Sequence, residues 1–157
     1  MEVSEIFQSL GQAALDDLVR RISLGTLRAY KMYDQFKVWS HLNKLNTEHL
    51  RKATPKFWER LAQHDEDLAK QLAQAILVSN IDFVVQVLDY LKIPHDGNGF
   101  FQKDTSTEQY LTEGWQSRVF DEFKERYPEA LVRLHINHLM WEVNKQAPVW
   151  QANESAS

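Results

Sequence analysis

His135, His138 and Glu142 stand in an H-x-x-H-x-x-x-E spacing within the stretch Pro128-EALVRLHINHLMWEVNKQ. Imidazoles and a carboxylate suit Zn²⁺, Fe or Mn. At about 100° per residue, a helix gathers the three into an arc of roughly 60° centred near Leu131. Leu134 and Leu139 border that arc, and the polar side, with Glu129, Arg133, Asn137 and Asn144, lies opposite. The triad therefore faces the core, where a polar group needs a partner. Two chemistries fit. In one, the three hold a metal ion in a helical-bundle enzyme. In the other, they form a core network in which Glu142 accepts from His138 and His135 pairs with a carbonyl or hydroxyl on a neighbouring helix.

A metal site needs further ligands from another helix. The candidates are His41, His49, His64 with Asp65 and Asp67, His95 with Asp96, and Glu108 with Glu122. No histidine has a glutamate three residues before it, so the Glu-x-x-His signature of di-iron bundles is absent. His-Glu-x-x-His is absent as well. The sequence thus favours the network over the metal.

The second candidate is His95-Asp96-Gly97-Asn98-Gly99-Phe100-Phe101. Asp96 and Asn98 resemble the start of a calcium loop, but Phe100 and Phe101 stand where that loop needs a ligand and a glycine. No Gly-Lys-Ser/Thr follows, so it is not a phosphate loop. What remains is a tight Asn-Gly turn carrying two phenylalanines. They anchor the loop in the core, or they line a ligand site with His95 and Asp96 as its reactive groups.

Other chemistries fail. Lys/Arg and aromatics interleave from Arg20 to Trp39, as in single-strand binders. Helical spacing instead turns Tyr33, Phe36 and Trp39 inward, and the pI of about 5.8 is acidic, so nucleic acid is not the expected partner. With no cysteine, a nucleophile has to be serine, and Gly-x-Ser-x-Gly is absent.

The elements that must position these residues follow from periodicity. Helices are predicted over Ser4–Ser23 with Gly11 inside, and from Thr26 to His41 after a Gly25 cap. A short turn over Thr47–Lys52 is followed by a helix opened by Thr54-Pro55 as N-cap and first residue. Asp65 caps a helix over Glu66–Ser79, and another covers Ile81–Lys92. A capping box of Ser106 and Gln109 starts a helix that runs past Gly114 to Arg126, and Pro128 opens the last. Trp150, beyond Pro148, packs back onto the bundle or onto a second subunit.

A length of 157 residues suits one domain. Apolar residues at 43% and charged ones at 25% suit a soluble globular protein. Residues 1–60 hold ten Lys/Arg against seven Asp/Glu, and the rest eight against fifteen, an asymmetry that lobes of one fold can satisfy between themselves. No apolar run matches a membrane span, and no signal-peptide pattern opens the chain. The expectation is a single all-α domain over residues 1–150, an irregular bundle of six or seven helices, with a disordered tail at 151–157. Its expected role is cytoplasmic and non-catalytic: binding a protein or a small ligand, with a homodimer as one form. The alternative is the metal-dependent enzyme.

Overall fold

Glycine and proline punctuate this chain differently from the way their spacing suggests. The computed structural model describes residues 1–22, 47–95 and 107–152. Gly11 does not sit inside a helix. At φ +97° it takes a conformation that favours glycine, and it separates α1, Val3–Leu10, from α2, Gln12–Val19. Its N–H closes α1 on the Phe7 carbonyl at 3.2 Å, and its carbonyl opens α2 by accepting from Leu15 at 3.1 Å. Pro55 starts nothing. It lies within α3, Thr47–Ala62, which continues through the lost N–H because its flanking turns are helical and its apolar side packs on α2. Thr54 is buried, and its hydroxyl has no hydrogen-bond partner among the described residues, so it is no cap.

Asp65 does cap α4, Glu66–Ser79, by accepting from the Leu68 N–H at 3.1 Å. Beyond lie α5, Ile81–Tyr90, a 3-10 turn at Thr107–Tyr110, α6, Trp115–Phe123, and α7, Glu129–Val143. The expected helix from residue 106 past Gly114 is thus broken. Gly114, left-handed at φ +78°, is the N-cap of α6, where only a glycine enters without strain. The predicted helix over Thr26–His41 and the residues of the tail from 153 on lie outside the described residues, as do Ser106 and the turn from Asp96 to Phe101.

The chain is all-α, with seven α-helices among the described residues. No single described helix is long and apolar enough to cross a membrane. Two compact units divide it: Glu2–Asn80, and Ile81 onward together with Met1. In the first, α1 packs on α2, α3 and α4 over a core that includes Phe7, Leu18, Phe57, Leu61 and Leu72. In the second, α6 packs on α7.

Among the described residues, two non-glycine residues take left-handed backbones, and both end helices. His64 (φ 60°) closes α3: the Asp65 N–H reaches the Arg60 carbonyl at 3.1 Å and the His64 N–H reaches Leu61 at 3.0 Å. Lys92 (φ 63°) closes α5 in the same way, through Ile93 to Leu88 at 2.9 Å and Lys92 to Asp89 at 3.0 Å. This pair of crossed bonds satisfies carbonyls that a helix end leaves open, and the burial of Ile93 and Leu88 supplies its usual apolar contact.

Candidate functional site

The inward-facing candidates of the second unit lie on α7. Leu131, Val132, Leu134, His135, Ile136, Asn137 and Leu139 are all buried, so the helix is enclosed around most of its circumference. That is the signature of a central helix rather than an amphipathic surface one. It explains why Asn137, on the expected polar side, is fully buried. The amide is satisfied on every side: Nδ2 donates to the Arg133 carbonyl at 3.0 Å and to the Trp150 carbonyl at 3.1 Å, and Oδ1 accepts from the Trp150 N–H at 2.7 Å.

His135 is inward, as its position on the helix implies, and only 4% exposed. Its expected carbonyl or hydroxyl partner does not exist among the described residues, where neither ring nitrogen makes a hydrogen bond. Its neighbour is instead the Phe83 ring, edge-on with centroids 5.5 Å apart. Phe83 also meets Tyr127 at 4.7 Å and Phe123 at 5.8 Å, so His135 closes an aromatic cluster between α5, α6 and α7. Burial holds the imidazole neutral and drives its pKa down to about 3, with nearby His138 adding to the shift.

His138 and Glu142 meet as expected, Nδ1 to Oε1 at 3.5 Å, which is long for a hydrogen bond. Burial lowers His138 to about 4, so the two are not an ion pair at neutral pH. Burial also raises Glu142 to about 7. About 35% of that side chain is open to water. The His138 ring leans on Trp141 at 5.6 Å.

His135 is a poor acid–base centre. A general base works best with a pKa near the operating pH and a path to substrate, and His135 has neither. Among the described residues, His135, His138 and Glu142 are not drawn together with each other or a further His, Asp or Glu as a three-ligand metal group. Glu142 turns toward solvent while His135 faces the aromatic cluster.

Of the loop candidates, His95 is described, and Asp96, Phe100 and Phe101 lie outside the described residues. His95 Nε2 sits 2.7 Å from an Asp89 carboxylate oxygen at the end of α5. His64, offered as a ligand with Asp65, is the left-handed closing residue of α3 and pairs with Glu2 at 3.1 Å.

Helical spacing alone did not reveal a half-open cleft of about 190 Å³ lined by Leu111, Trp115, Met140, Val143, Asn144 and Ala147. Five of these six side chains are apolar. It forms where α7 ends and the chain turns back, so its walls come from segments separated by some thirty residues. No protein-family model, curated protein or solved structure matches this chain.

Proposed function

We propose that the protein is a non-catalytic binding module whose cleft between α6 and the end of α7 accepts one apolar side chain of a protein partner. The cleft carries this reading. Drug-sized ligands fill roughly 300–1,000 Å³, whereas a cavity of about 150 Å³ holds benzene. At about 190 Å³, the cleft matches a single ring or a branched aliphatic group. Its apolar lining favours such a group by removing it from water. A second copy of this chain is one partner of that kind. A cytoplasmic setting suits the cysteine-free sequence.

Toluene stands in for a phenylalanine side chain. Titrated into the protein, it is expected to give saturable methyl shifts confined to Leu111, Met140 and Val143, and Met140→Glu is expected to abolish them. Shifts that are absent, or spread evenly over the surface, overturn the reading. In the same preparation, Zn²⁺, Mn²⁺ and Fe²⁺ are expected to leave Tm unchanged. A metal-dependent rise that disappears in His138→Ala would favour the metal-dependent enzyme instead, because a bound ion stabilises the folded state by mass action.

A further inference from the structure

After α7 the chain turns and runs back along the unit. Asn144 leaves the helix in an extended conformation, and its side chain accepts from the Gln146 N–H at 3.0 Å. The Met1 ammonium donates to the Lys145 and Ala147 carbonyls at 2.6 and 2.9 Å. Beyond this root the described strap, Pro148–Ala152, has no regular secondary structure.

Two contacts seat the strap. Asn137 takes both backbone groups of Trp150, donating to its carbonyl and accepting from its N–H. The Trp150 ring packs on Phe120 of α6, with centroids 5.7 Å apart at 60°. The first contact reads main chain only, as a neighbouring β-strand would, and any residue but proline satisfies it. The second selects an aromatic ring.

One anchor of the seat does not involve its occupant. Asn137 also donates to the Arg133 carbonyl of its own helix at 3.0 Å, a bond that Trp150 does not supply. Phe120 is flanked by Lys124, whose ammonium lies 5.6 Å from the ring centroid. The strap, by contrast, is thinly held. Pro148 and Gln151 are exposed, and Val149 and Trp150 are only half-buried. A buried, pre-oriented amide beneath a lightly packed segment is the construction of a peptide site with a removable occupant.

We propose that Asn137 and Phe120 form a peptide-binding seat, filled in cis by the chain's own Pro148–Trp150, that exchanges this strap for an extended peptide bearing an aromatic residue at the Trp150 position. Neither seat residue lines the cleft, so the proposal stands apart from the reading of the cleft.

The test uses the full chain. A fluorescent peptide of residues 145–152 is titrated into the wild type and into Trp150→Ala, whose strap has lost its ring. The expected result is at least tenfold tighter binding to Trp150→Ala, because the wild-type strap competes. Binding should disappear when the peptide's own tryptophan is replaced by alanine. In the wild type, the Trp150 amide should exchange with deuterium at least a hundredfold faster than the α7 amides, reporting strap release without unfolding. Several outcomes overturn the proposal: no binding to a normally helical Trp150→Ala chain, a Trp150→Ala chain that unfolds, or a Trp150 amide as protected as α7. A wild-type dimer that disappears in Trp150→Ala would assign the seat to a second copy instead.

Discussion

Where α3 gives way to α4, polar side chains are tied together within reach of water. Along α7, His135, the most buried imidazole among the described residues, makes no hydrogen bond to any of them. At the α3–α4 turn, Arg60 pairs with Asp65 at 2.7 Å, Asp65 caps α4, and Glu66 accepts from the Val3 and Ser4 N–H groups at 3.0 and 2.7 Å. Each carboxylate there answers a donor that a helix end leaves open. In the α7 cluster the helix interior has already satisfied the backbone, so nothing calls for a polar side chain at His135. The ring is accommodated by staying neutral against Phe83. Charge is thus placed by backbone demand in one region and suppressed by burial in the other. Removing the polar group should therefore weaken the α3–α4 turn, whereas at His135 it should remove a source of acid sensitivity.

The largest expected contrast is the acid response of His135. Its folded-state pKa of about 3 lies below the ordinary value of 6.5, so the unfolded chain takes up a proton that the folded chain refuses. The associated stability is fully present above pH 6.5 and is lost as pH falls toward 3, at about 1.4 kcal/mol per pH unit. His138 acts in the same direction, down to about 4. Glu142, raised to about 7, acts in the opposite sense, since its contribution is present in acid and lost as pH rises through that value. His135→Leu keeps both of those groups, so their effects cancel in the comparison with the wild type. Between pH 7.5 and pH 5, urea unfolding should show the variant gaining on the order of 2 kcal/mol relative to the wild type. Parallel pH profiles for the two proteins would mean that His135 is not the buried neutral ring described above.

Sequence reading reached part of this. Asp65 and the helix over 66–79 were legible, because a cap and its amide lie three residues apart. The inward turn of His135 was legible from its spacing to Leu131 and Leu139. Gly11, Pro55 and Gly114 were misread, because local propensity states that a backbone can break but not whether packing makes it do so. Asn137 was assigned to solvent, because the polarity of neighbouring helix positions carries no record of a strap returning from residue 150. The Glu66 carboxylate, some sixty residues from the amides it serves, was beyond any local rule.

The second contrast lies inside the polar turn. Truncating Glu66→Ala strips a charged acceptor from two amides at the start of α1, one of them in the buried Ser4. Loss of a helix N-terminal acceptor costs about 1–2 kcal/mol. Urea unfolding at pH 7.5 should show a loss of that size, and an unchanged midpoint would mean that water replaces Glu66 at the helix end.

The smallest effect belongs to Glu2, and it sharpens the comparison most. Glu2 occupies the N-cap position of α1, where a side-chain acceptor ordinarily serves the first turn, yet its carboxylate makes no cap bond. It turns instead to His64 at 3.1 Å, with the two side chains 48% and 63% exposed. Its other contact, from the Ser4 hydroxyl, is long at 3.4 Å. An exposed pair of this kind is screened by water and is charged on both sides only when the imidazole is protonated, so it contributes less than about 0.5 kcal/mol. Glu2→Ala should therefore unfold within that margin of the wild type under the conditions where Glu66→Ala is clearly weakened. The residue that sequence position marks as the cap would then be dispensable, and the distant residue would be the cap in fact. Equal losses from the two truncations would break the distinction, because they would show that both carboxylates serve the α1 amides in solution.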